Sequence, residues 1–232
     1  MRHSSFLRRA LIVLMLTSLC VIPVMSEASL ITNGFTFSVA DGYTGPKDQG
    51  THFHSSTGGE FGNPAGKAEV GAYFSEEVRG LSEYDLTGLL TGSSFVTFNV
   101  FNDGGLFSGN DFPFTGNINV IAYQGNNLEN LSDWQAASLG IVGSFNTAGL
   151  SIGNVLSFDI TSIFDYAITN SWSSLGIRLQ TPTDPQYSGG AWTFDTFRLT
   201  STSETTVPEP ATLLLLGSGL IGLGFFGRKK RT

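Results

Sequence analysis

The chain has 232 residues, with 12 basic against 19 acidic side chains, a net charge of −7 and one cysteine, Cys20. That excludes a disulfide framework, and the acidic balance excludes nucleic-acid binding, because phosphates would be repelled. With 13% charged residues, 19 Phe and 29 Gly, the composition is that of a β protein of one domain with a full core.

Arg2, Arg8 and Arg9 form a positive n-region, residues 10–24 an apolar h-region, and Ser26-Glu27-Ala28 a small-x-small cleavage site. This pattern predicts a signal peptide over 1–28, and hence export. Leu19 stands where a lipoprotein signal wants a small residue, so Cys20 reads as an h-region residue and leaves with the peptide.

Residues 29–200 form the predicted domain. Apolar residues alternate at Phe35, Phe37 and Val39, then at Ala68, Val70, Ala72 and Phe74, and again at Val96, Phe98 and Val100. The pattern returns at Ile118, Val120 and Ala122, at Leu156, Phe158 and Ile160, at Leu175, Ile177 and Leu179, and from Trp192 to Leu199. Such alternation predicts strands, and Asn102-Asp103-Gly104-Gly105, Gly125-Asn126-Asn127, Asp184-Pro185 and Gly189-Gly190 predict the turns between them. One helix is predicted over 163–169, opened by Ser162-Ile163-Phe164-Asp165. The expected fold is all-β, a two-sheet antiparallel sandwich of jelly-roll type with one short helix, flanked by the signal peptide and a C-terminal hydrophobic helix.

A Ser/Thr-rich linker over 201–206 leads to Val207-Pro208-Glu209-Pro210, an uncharged apolar run over 211–227, and the basic cluster Arg228, Lys229, Lys230 and Arg231. The run has just the length to cross a thin bilayer, and the basic end would stay cytoplasmic. This tail, residues 207–232, closely resembles the PEP-CTERM sorting signal of Gram-negative bacteria. The resemblance implies transient anchoring in the inner membrane through the C-terminal helix. It also implies an exosortase that cuts near Pro-Glu-Pro and delivery to the cell surface or extracellular matrix. With both signals gone, five basic and 17 acidic residues remain, a net charge near −12. Such a surface suits an extracellular protein and attracts divalent cations.

A second resemblance concerns the domain. The stretch from Val78-Arg79-Gly80 to Tyr84-Asp85-Leu86-Thr87-Gly88-Leu89 looks like a strand of extracellular jelly-roll modules of the DNRLRE and carbohydrate-binding type. Phe158-Asp159-Ile160-Thr161 with Trp172 and Leu175-Gly176-Ile177-Arg178-Leu179, and the terminal Phe194-Asp195-Thr196-Phe197-Arg198-Leu199, are similar to two further segments of those modules. Tyr84 stands where they have Phe.

Residues that carry chemistry are few. Gly149-Leu150-Ser151-Ile152-Gly153 matches a nucleophile elbow, but a strand-like run follows Ser151 where a helix is needed, and no histidine lies downstream of His54. The segment reads as a β-turn. Gly217-Ser218-Gly219-Leu220-Ile221-Gly222 matches a dinucleotide fingerprint inside the apolar tail, where small residues for helix packing explain it better. His52 and His54 share one face of an extended segment, as two metal ligands would, yet a zinc site would have to recruit carboxylates. They are read as part of an exposed polar loop. Glu83 and Asp85, neighbours on one strand face, do not suit a glycosidase pair facing each other across a sugar.

Asp41, Asp103, Asp111 and Asp195 lie near turns or strand ends and are candidate calcium ligands, with Asp41 and Asp195 the chosen pair for a structural Ca2+. Among the aromatics, Trp172 and Trp192 read as core, while Trp134 and Tyr187 sit in polar, turn-rich surroundings and are the candidates for stacking on sugar rings. The expected function is a non-catalytic exported surface or matrix protein that associates with extracellular polysaccharide. The alternative is a secreted hydrolase acting on such polymers.

Overall fold

A computed structural model of the chain describes residues 29–31, 34–42, 47–59, 64–182 and 189–203. The signal peptide, the linker beyond 203, the sorting tail and Tyr187 lie outside the described residues.

The alternating segments form strands, as their period of two requires. In chain order they are β1 (Ser29–Ile31), β2 (Gly34–Asp41), β3 (His52–Ser55), β4 (Ala68–Tyr73), β5 (Glu76–Asp85) and β6 (Gly92–Asn102). Then come β7 (Asn117–Gly125), β8 (Ser138–Asn146), β9 (Val155–Asp159), β10 (Ser174–Gln180) and β11 (Gly190–Ser203). A 3-10 turn, Leu131–Gln135, precedes β8, and α1 (Thr161–Thr169), the one α-helix among the described residues, follows β9. Among the described residues no helix is long and apolar enough to cross a membrane. The helix begins two residues earlier than the sequence predicts. Asp159 Oδ1 accepts the Thr161 N–H at 2.9 Å just ahead of the helix, and Ile160, not Ser162, stands at its N-cap. The strand ending at Phe74 is also shorter than predicted: Phe74 lies in the β4–β5 turn with φ 51° and is 65% exposed.

The strands make one antiparallel sheet ordered β8-β7-β10-β5-β4-β11-β6-β9, with β1 added on β11, and β2 on β5 carrying β3. The two walls expected of a sandwich are thus two parts of one continuous sheet that curls almost into a barrel. Bulges supply the bend. Between β11 and β6 the register shifts at Thr193/Phe194 and again at Asp195/Arg198, with Thr196 at φ 53°. Between β7 and β8 it shifts at Val120/Ile121 and Ala122/Tyr123. The sheet's ends meet where Gly143 of β8 faces Phe158 of β9: a Cβ on Gly143 would lie 2.5 Å from that ring and would have to push it aside.

The main core fills the curl. Phe98, Val96, Ile118, Val120, Leu175, Ile177, Leu179 and Phe194 are fully buried there, and Phe164 of α1 plugs it. Phe158 is half-buried at its margin. A second, smaller core lies on the other face of the sheet, where Phe37, Val39, Leu81 and Tyr123 pack with Trp134 of the 3-10 turn. Strand β5 is therefore covered on both faces, which explains its nearly continuous burial.

Two arginines fasten the 3-10 turn over this second core. Arg79 stacks on Trp134, its guanidinium carbon 3.4 Å from the ring centroid, and its Nη1 donates to the Trp134 carbonyl at 2.6 Å. Arg178 Nη1 donates to the Asp133 and Ala136 carbonyls at 3.1 and 2.8 Å. Burial and the nearby Glu83 charge raise the Asp133 carboxyl to about 7, against the Asn130 N–H and Arg178, which favour its anion. A carboxyl raised on folding holds its proton longer in the native state, so its contribution to stability is lost as pH rises from its unfolded value, about 4, towards 7. Lowering pH from 7 to 4 should therefore stabilise the natural chain relative to Asp133→Asn in denaturant titrations. Parallel pH profiles of the two would refute this.

Candidate functional site

Strand β3 and the β4–β5 hairpin bring His52, His54, Glu69 and Glu76 together. His52 and His54 alternate with Phe53, so both imidazoles project from one face of β3, and their ring centroids are 5.2 Å apart. Glu69 comes from β4 and Glu76 opens β5, where the register pairs it with Tyr73. The sequence reading of an exposed loop is corrected here: the segment is a strand paired with β2, and His54 is 1% exposed. The carboxylates that a metal site would need are present, supplied by the hairpin.

His54 stands between two carboxylates. Its Nδ1 lies 2.9 Å from Glu69 Oε2 and its Nε2 lies 3.2 Å from Glu76 Oε2. The same Glu76 oxygen is 3.5 Å from His52 Nε2. His52 Nδ1 lies 3.0 Å from the Thr51 hydroxyl, and its side chain is 42% exposed, which makes it the open side of the cluster. Tyr73 and Phe107 close the other side edge-on to the His54 ring at 5.5 and 4.8 Å. Gly105 lies against Glu69, where a Cβ would come within 2.4 Å of Oε1. Glu69 Oε1 and Glu76 Oε1 are buried and accept no hydrogen bond.

Burial disfavours a charged His54, but hydrogen bonds to Glu69 and Glu76 and their charges outweigh it and raise the imidazole to about 9. The two glutamates thus favour the cationic form of the imidazole at this position.

The other sequence candidates are dispersed. Asp195 has both oxygens engaged, Oδ2 by Lys67 Nζ at 2.7 Å and Oδ1 by the Thr196 hydroxyl at 2.9 Å. Lys67 is thus the cation paired with this carboxylate. Asp41 ends β2 beside Glu77, with Oδ2 buried and accepting no hydrogen bond. Asp103 and Asp111 are exposed. Among the described residues, the group of potential metal ligands is His52, His54 and Glu76, and none of these aspartates is in it.

Trp134 is corrected from an exposed stacking residue to a buried one, at 1% exposure. Its Nε1 donates to the Glu77 carbonyl at 3.3 Å, and Arg79 covers its face. Tyr187 lies outside the described residues. Trp192 is in the core as predicted, with Nε1 donating to the Phe114 carbonyl at 2.8 Å. Trp172 is half-buried, edge-on to the exposed Tyr166 at 5.6 Å. Ser151 lies in an exposed turn, its carbonyl accepting the Asn154 N–H at 3.0 Å, and β9 follows.

The described residues are thus those of an all-β domain with one helix, carried between a charged, apolar start and a Pro-Glu-Pro tail. Residues 206–231 match the family described as the PEP-CTERM protein-sorting motif, so the chain carries the signal of a PEP-CTERM exported protein. No curated protein matches the chain.

Proposed function

We propose that this is a non-catalytic surface or extracellular-matrix protein, released by an exosortase and retained by association with extracellular polysaccharide. The observation that carries the reading is the sorting motif at 206–231. Around it stand an acidic domain, which suits life outside the cell, and an exposed aromatic edge. Tyr166, 53% exposed and packed on Trp172, offers the kind of amphipathic ring that sugars stack on, in place of the buried Trp134.

Mass spectrometry of the protein recovered from the cell surface should give a C-terminus near Pro208. Recovery of Arg228, Lys229, Lys230 and Arg231 on every mature molecule would overturn release. The released protein should co-sediment with the matrix polysaccharide of its own host, more weakly as Tyr166→Ala, and leave polymer length unchanged. Shortening of the polymer would favour the secreted hydrolase instead.

A further inference from the structure

We propose that His52, His54 and Glu76 form a binding site for a divalent transition-metal ion of the zinc class, with Glu69 as the residue that orients His54. Geometry is the first argument. Ligands about 2.0–2.1 Å from a tetrahedral ion stand roughly 3.3–3.4 Å from one another. The Glu76 oxygen lies 3.2 Å from His54 Nε2 and 3.5 Å from His52 Nε2, and the three ligand atoms fall within 4.8 Å of one another. Both Glu76–imidazole spacings thus lie close to the tetrahedral value.

The neighbours of the cluster give the second argument. A metal-bound imidazole characteristically donates its other N–H to a carboxylate, which fixes the tautomer and aims the ring. Glu69 holds His54 Nδ1 at 2.9 Å and so leaves Nε2 facing Glu76 and His52. Glu76 is itself buried, with Oε1 accepting no hydrogen bond. A bound cation would give this oxygen a partner.

Donor chemistry selects the ion. Two imidazole nitrogens and one carboxylate suit zinc, cobalt, nickel or copper, whereas calcium takes six to eight oxygens. Three protein ligands leave one position open, and the half-exposed His52 puts it on the solvent side.

The test uses the full-length chain purified in detergent, stripped by chelator, with Zn2+ and Co2+ as probes. Zn2+ should raise the melting temperature, because it binds the native state and not the unfolded one. Co2+ should produce the visible ligand-field band of a four-coordinate site, discharged by equimolar Zn2+. His52→Ala lies at the open edge and should melt like the natural chain when metal-free, while losing at least tenfold in Zn2+ affinity and the Co2+ band. Glu69→Gln should keep the band and weaken affinity about 10–100-fold, as loss of a ligand-orienting carboxylate does. A Zn2+ response that survives His52→Ala would overturn the site. So would a chain that gives no cobalt band and no rise in melting temperature, leaving His54 as a cation held between two carboxylates. A rise with Ca2+ equal to that with Zn2+ would overturn the choice of ion.

Discussion

Phe98→Ala should cost the folded domain about 3–5 kcal/mol, the usual loss for a buried phenylalanine, out of a total that for domains of this kind is about 5–15 kcal/mol. The size follows from what surrounds the ring. Phe98 is 0% exposed in β6, stacked on Phe197 at 4.7 Å and Phe158 at 5.8 Å, and edge-on to Phe194 at 5.5 Å. Phe145 of β8 completes the cluster at 6.1 Å. Two of these partners, Phe145 and Phe158, belong to β8 and β9, the strands at which the curled sheet nearly closes. Truncation would open a cavity and also loosen the closure. The control lies on the same strand: Phe95 points to the other face and is 38% exposed. Phe95→Ala should change stability by less than about 1 kcal/mol, as exposed substitutions do. Urea denaturation followed by tryptophan fluorescence measures both, and equal losses would show that the inner face of β6 has been wrongly assigned.

How much of this was legible beforehand depended on which faces each strand buries. Strands β2, β4, β6, β7, β9, β10 and β11 announce themselves because apolar residues recur at every second position along at least one face. In β5 both faces are covered, and one of them carries Arg79, Leu81 and Glu83, so alternation fails there. Arg79 is buried under Trp134 with Glu77 and the Trp134 carbonyl as partners, and Glu83 among donors from β7, its following turn and β10, which a period-two pattern cannot show. Strand β8 is an outer edge on which Leu139 and Ile141, at 40% and 62% exposure, face solvent while Val142 and Phe145 turn to the core, so its apolar residues do not alternate cleanly. Composition therefore said nothing of its pairing.

The site divides in the same way. The His52/His54 spacing was visible and suggested one face, yet their burial was not, because it depends on a hairpin that folds back over them. Glu69 and Glu76 lie 15 and 22 residues from His54 in the chain, and only the β4–β5 pairing makes them neighbours. The available signal was Glu69 itself, a charge between Ala68 and Val70 in a strand otherwise apolar. Trp134 failed for the opposite reason. Its polar sequence neighbours belong to a tight turn whose one large ring dips into the second core and is capped by an arginine 55 residues away.

Glu83→Ala should be about as costly as the loss of Phe98, roughly 3–5 kcal/mol, though it removes no core hydrocarbon. The carboxylate is 0% exposed and collects four donors from three segments. Tyr123 donates its hydroxyl to Oε1 at 3.1 Å, while the Asn126 and Asn127 N–H groups and the Ser174 hydroxyl reach Oε2 at 3.0, 2.9 and 3.0 Å. It thus ties β5 to the turn after β7 and to the start of β10. Alanine would leave two buried hydroxyls and two part-buried N–H groups without their acceptor, and each orphan costs about 1–3 kcal/mol unless water replaces the lost oxygen. Glutamine preserves shape but presents an NH2 group to donors, so Glu83→Gln should recover only part of the loss. The decisive comparison is a double-mutant cycle with Tyr123→Phe, since a phenylalanine at that position has no hydroxyl to orphan. Glu83→Ala should then cost less in the Tyr123→Phe background than in the natural chain, by about 0.5–3 kcal/mol of coupling. Strict additivity would mean that the 3.1 Å contact contributes nothing. A loss below about 1 kcal/mol for Glu83→Ala alone would mean that water serves these donors as well as the carboxylate does.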